Sequence, residues 1–174
     1  MLASIEAFVG AHYIWFKFIH MLFAMIWVWS TSTAYVNYVV PVVREWLKNP
    51  GDPDTIRMRN FAMERFDDGV VLEHIAFPVL LITGPMLMVA GGWTTEDGWL
   101  AVKLALVIGL FIPIEAVDYH LSHFGGNKER VRCTGDDAAY ERAIHRHWWF
   151  LVVTTPVIAI FAIGTLFLAI VKPF

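Results

Sequence analysis

The sequence predicts an all-α integral membrane protein, a four-helix bundle forming a single transmembrane domain over residues 1–174, and three observations lead there. Hydrophobic residues make up 57% of the chain and charged residues only 17%, which is too apolar for an ordinary soluble domain of this length. The mean hydropathy is +0.56. The apolar residues are gathered into four stretches, each long enough to cross a hydrocarbon core, which takes about 20 residues of helix. A single cysteine, Cys133, excludes a disulfide framework and a thiolate metal centre.

The first stretch spans residues 13–40 and follows the leader "MLASIEAFVGA". That leader has no basic start and no small-residue cleavage site, so it is expected to remain in the mature chain. A polar connection follows, "REWLKNPGDPDTIRMRNFAMERFDD", in which Pro-Gly and Asp-Pro mark a turn. After that turn a short amphipathic segment around Met58 to Phe66 is expected at the membrane surface. The second helix covers residues 70–92, the third 99–119 after the short link "GGWTTEDG", and the fourth 148–171. Arg44, Lys48, Arg57, Arg59 and Arg65 lie in the first connection, and Lys128, Arg130, Arg132, Arg142 and Arg146 in the third; the second has no cation. The excess of positive charge places both long loops in the cytoplasm and, with an even number of spans, the N and C termini outside. Trp93, Trp99, Trp148 and Trp149 fall where interfacial aromatic belts form. No basic run suggests nucleic acid.

Ionisable residues inside apolar helices cost a few kcal/mol each on insertion scales, so they mark function or pairing. Depth sorts them into two layers. At 1.5 Å rise per residue, His20 lies roughly 10 Å and Lys103 roughly 6 Å below the outer surface. His20 is a candidate axial ligand for haem iron, since bundles build such sites from side chains on facing helices. Trp27 follows seven residues later on the same face, and Ala24, Ser30, Thr31 and Ser32 leave room for a flat macrocycle. Lys103 serves as the opposite ligand if its amine is neutral; otherwise it snorkels to the interface, and His20 bonds a neighbouring helix. In the inner layer His74, His120, His123, His145 and His147 converge with Glu73, Glu115 and Asp118. Imidazoles mixed with carboxylates suit a second haem, zinc or non-haem iron, with His74, His120, His123, Glu115, Asp118 and His145 as the candidate set. A hydrogen-bonded polar rim, paired with Arg142 and Arg146, explains the same residues. His145 and His147 are two apart and point in different directions, so at most one of them joins a site.

The segment "YIWFKFIHMLFAMIW", with Trp15, Lys17, His20 and Trp27, resembles the first helix of the HemJ-type protoporphyrinogen oxidases. "GWLAVKLALVIGL", with Gly98, Trp99, Leu100, Lys103 and Leu104, resembles the start of that family's third helix. Met63-Glu64-Arg65, Pro78, Gly84 and the ending "VKPF" fit the same pattern, so the resemblance extends over all four helices. It implies one haem b, or two if the inner layer holds a second, with His20 and Lys103 as the axial ligands carried over. It also implies oxidation of protoporphyrinogen IX, with electrons passing to quinone or a respiratory partner in a bacterial inner membrane. The chain departs from the family where a Leu-Pro-Arg segment is expected and "WSTSTAYVNYVVPVVREW" stands, and where Thr154 and Thr155 replace an Asn-Glu before Pro156. Tyr119-His120 also comes later after the lysine than in the family.

Three functions compete on this sequence: a haem b membrane oxidoreductase, a b-type cytochrome subunit for electron transfer or anchoring in a larger complex, and a haem-free structural subunit with a histidine metal site. Lipid is the expected surroundings in each case, as a homo- or hetero-oligomer in the second.

Overall fold

The computed structural model describes residues 2–174, with side chains from residue 7 onward. All regular structure among the described residues is helical. Among the described residues four helices are long and apolar enough to cross a membrane: Tyr13–Lys48, Pro53–Ala90, Gly98–His123 and Asp137–Val171. They are preceded by α1 (Leu2–Ala11). We label the rest α2 (Tyr13–Lys48), α3 (Pro53–Gly69), α4 (Val71–Ala90), α5 (Gly98–His123), α6 (Lys128–Arg132) and α7 (Asp137–Val171).

These helices outrun the spans expected from hydropathy. The four candidate spans have 36, 38, 26 and 35 residues, or about 54, 57, 39 and 52 Å at 1.5 Å per residue, against a hydrocarbon core of about 30 Å. The surplus lies at one end. There the segment around Met58 to Phe66 is part of the 17-residue helix α3, joined almost without a break to α4. Only Val70 leaves the helical pattern, and the hydrogen bonds Val70 N to Phe66 O and His74 N to Val70 O bridge it. Asp52 caps α3 by accepting from Asp54 N at 3.1 Å, and Pro53 occupies its first turn, where no intrahelical donor is needed.

Two apolar layers hold the bundle. At the extended end, Tyr35, Val39 and Val43 of α2 meet Met63 and Phe66 of α3, Val70 beyond it, and Tyr140, Ile144 and Leu151 of α7. The α3 residues recur at helical spacing, so one stripe of α3 faces the bundle. Arg59 shares that stripe and stays buried by lying 4.5 Å from the Trp46 ring and pairing with Glu141. Deeper in the apolar region, Trp27 sits 5.3 Å from Phe77 and 5.0 Å from Phe111, with Ala76 and Ala162 completing the layer.

At the opposite end, α2 packs along α4 while the first half of α5 packs on α7. The chain terminus after α7 folds back onto the short α4–α5 link. Lys172 takes a left-handed backbone (φ 49°), and its ammonium lies 3.7 Å from the Trp93 ring centroid. Trp99 N donates to Phe174 O at 3.2 Å. The start of α2, this link and the end of α7 thus share one end.

Candidate functional site

In the outer layer, α2 presents His20 to α4, where its Nδ1 lies 2.7 Å from Thr83 Oγ1. The Thr83 hydroxyl spends its proton on Val79 O at 2.7 Å, one helical turn back. Its oxygen is therefore the acceptor, and His20 must carry its hydrogen on Nδ1. That leaves Nε2 with a bare lone pair, since the partner of one ring nitrogen sets the state of the other. Lys103 on α5 is half-buried, within electrostatic range of the His20 ring, and among the described residues its amine has no ion-pair or hydrogen-bond partner. The two residues that depth in the sequence sets in one layer thus lie within electrostatic range of each other, while His20 makes its hydrogen bond to the neighbouring helix. Trp27 is not with them. Its place two helical turns after His20 suggests the same face, but its indole donates to Glu115 Oε1 at 2.7 Å and its ring belongs to the deeper aromatic layer.

The inner layer centres on Asp118. Its Oδ1 accepts from His147 Nε2 at 3.0 Å, and its Oδ2 lies 3.2 Å from His74 Nε2, close in distance though poorly aligned for a hydrogen bond. His74 Nδ1 in turn lies 2.7 Å from His123 Nε2. On the other branch His147 Nδ1 accepts from the Lys128 ammonium, which also donates to Asp67 Oδ1 at 2.5 Å, while Lys128 N donates to Asp67 Oδ2 at 3.0 Å. An ammonium has no lone pair, so His147 has its hydrogen on Nε2, aimed at Asp118. The His74 Nδ1–His123 Nε2 bond has no such fixed direction, since each imidazole nitrogen donates or accepts according to its tautomer. Two imidazoles, one hydrogen-bonded and one in close approach, thus flank one carboxylate.

Lys128 and His147 are fully buried, and Asp67, Glu73, Glu115 and Asp118 nearly so. Burial pushes the Lys128 ammonium below the ordinary lysine range, with the neighbouring Asp67 carboxylate pulling the other way. Beside this network is a small cavity of about 20 Å³, lined by Glu73, Glu115, Asp118, Thr31 and Thr155 among others. It is enough for one water molecule. Glu73 Oε2, Glu115 Oε2 and Thr31 Oγ1 are buried there without a protein partner.

Of the inner residues named from sequence, the structure brings together His74, His123, Glu115 and Asp118. It leaves out His120 and His145. His120 is exposed and stacks near Phe124, and His145 is exposed with its ring 6.2 Å from Trp149. The reason is angular: each is two residues, about 200°, from Asp118 or His147, and so points away from the bundle. Among the described residues no group of three or more His, Cys, Asp or Glu side chains is disposed to hold a metal ion; the inner side chains are turned toward one another. Asp67 and Lys128 were not expected at all. His147 had a legible signal, since Tyr140, Ala143, Ile144, His147 and Leu151 form one buried stripe on α7. Lys128 had none, being one loop cation among several.

Comparison with known proteins finds no matching family model, no matching curated protein and no matching solved structure, so the case for function rests on this geometry.

Proposed function

We propose that the chain is a haem b-binding membrane redox protein of the kind its sequence resembles, with His20 and Lys103 as axial ligands. The observation that supports this best is the state of His20. Thr83 holds the imidazole with Nδ1 protonated and leaves the Nε2 lone pair for a metal, the arrangement a ligating histidine needs. The half-buried Lys103 amine, without a hydrogen-bond or ion-pair partner among the described residues, fits the second position, which a lysine fills as a neutral amine. Haem there would store and pass single electrons; Thr83 orients one ligand, and the surrounding apolar side chains exclude water.

On this reading the arginine- and lysine-rich end faces the cytoplasm of a bacterial cell, both chain termini lie outside, and electrons pass to quinone or a respiratory partner. The absorption spectrum of the purified protein tests the cofactor. A b-type Soret band is expected, lost or strongly shifted in His20→Ala and shifted in Lys103→Ala; an unchanged spectrum in both variants, or no Soret band in the native protein, overturns the assignment. Restoration of protoporphyrin formation in a strain lacking its own oxidase tests the reaction.

A second reading, an electron-transfer or anchoring subunit, is favoured by the exposure of α2. Ile14, Trp15, Phe18, Met25 and Trp29 all lie more than half exposed, leaving a broad apolar face for lipid or for a partner's helices. Co-purification with a redox partner, together with haem reduction by quinol and no porphyrinogen turnover, distinguishes this reading from the first.

A further inference from the structure

The inner network has a direction. His123 is the half-exposed member; every other member of the chain of contacts behind it is buried. From His123 Nε2 to His74 Nδ1 is 2.7 Å, from His74 Nε2 to Asp118 Oδ2 is 3.2 Å, and Asp118 shares its cavity with Glu73 and Glu115. Each of these side chains can take a proton on one atom and give one from another. An imidazole that gains a proton at Nδ1 can release one at Nε2, which is how histidine shuttles protons. The far end of the path is the Glu73–Glu115 pair, at the level of the Trp27 indole and on the His20 side of the network. Two adjacent buried carboxylates repel, and a proton held between them removes that repulsion. Their unpartnered Oε2 atoms, with the Thr31 hydroxyl, face a cavity with room for one water to complete the path from Asp118.

We propose that His123, His74, Asp118 and the Glu73–Glu115 pair form a proton half-channel, leading from the arginine- and lysine-rich end of the bundle to a buried proton store below the His20 layer. The proton comes from water at His123 and ends on a glutamate carboxylate. No bond other than those to hydrogen changes, and no oxidant is needed. The second branch, His147, Lys128 and Asp67, is a dead end for protons because it is wholly enclosed. It acts as a positioning arm, fixing Asp118 through the His147 Nε2 hydrogen. Arg130 lies within electrostatic range of His123, and Arg146 within range of Lys128, so the entrance and the positioning arm each have a cation nearby. Such a path would connect the inner solution to the interior without opening the outer half to water. The inference does not depend on the haem assignment.

Infrared spectroscopy of the full chain in lipid vesicles tests it, with or without haem. The native protein is expected to show the stretching band of a protonated carboxyl, removed in Glu73→Gln or Glu115→Gln, and this band should shift promptly on transfer to D2O. In His123→Ala the rate of that shift should fall at least tenfold and recover on addition of free imidazole. Asp118→Asn should slow it without rescue. Because His123 lies at the half-exposed entrance, its variant is expected to keep native helix content by circular dichroism. Absence of the band, or an exchange rate unchanged in His123→Ala and Asp118→Asn, overturns the proposal. The Soret measurement on the same samples reads the His20 site separately.

Discussion

Lys128 shows how one residue can be invisible in a sequence and central in a structure. Its ammonium is enclosed with Asp67 and His147, and its own backbone N–H is spent on the same aspartate. Removing one partner of a buried ion pair strands the other, at about 3–5 kcal/mol. Lys128→Met is therefore expected to lower stability by that order in a denaturation titration, and the double variant Lys128→Met with Asp67→Asn to recover part of the loss, since neither charge is then left alone. The pH dependence has a definite sign. With its folded value pushed below the ordinary 10.5 by burial, Lys128 binds fewer protons folded than unfolded between those two values. Its contribution to stability is fully present above the unfolded value and is lost as pH falls through the folded one. The native protein should accordingly gain stability relative to Lys128→Met as pH rises toward the ordinary lysine range; a constant difference across that range would show that the ammonium is no harder to protonate folded than unfolded.

At the scale of elements, the helices carry two single-turn π-helical stretches, Tyr35–Val39 in α2 and Val107–Phe111 in α5. Each is followed two residues later by a proline, Pro41 or Pro113. A proline in a helix interior lacks the N–H for its i−4 partner and presses its ring against that carbonyl, and a wider turn just before it relieves both problems. In α5 the consequence reaches the site, because the extra residue turns the helix so that Glu115, Asp118 and Ser122 share the buried face. The prolines are plain in the sequence; the rotation they cause relative to the first half of α5 is not, whereas the outward direction of His120 follows from its two-residue offset from Asp118 alone. The start of α7 is simpler. Asp136 accepts from Ala139 N at 2.8 Å and caps the helix. Asp136→Ala should cost about 1 kcal/mol and accelerate amide exchange in the first turn around Ala139 and Tyr140, while leaving the membrane half of α7 unchanged.

On the scale of the whole molecule, the bundle extends well past a hydrocarbon core at the end that holds Arg59, Lys128 and Arg146. The exposed thiol of Cys133 lies at that end and reports which side of the membrane it faces. Charge asymmetry predicts that a membrane-impermeant maleimide added to intact cells leaves Cys133 unmodified and labels it only after the cytoplasmic face is opened, whereas Thr95→Cys, in a Cys133→Ser background, is labelled from outside. The reverse pattern would invert the topology and place the entrance at His123 outside.

The number of spans, their order and the two polar layers were legible in the residues, because hydrophobic length and the cost of charge in lipid act locally along the chain. Depth along the chain also brought His20 and Lys103 to one layer, where they lie within electrostatic range of each other. Partner choice across helices was not legible. Trp27 turns from His20 to Glu115, His147 and not His145 meets Asp118, and a loop lysine enters the core beside Asp67. Those outcomes depend on helix rotation and on which buried polar groups find each other at hydrogen-bond distance. They are decided only when every helix is packed, because a buried charge left without a partner costs more than any local preference can supply.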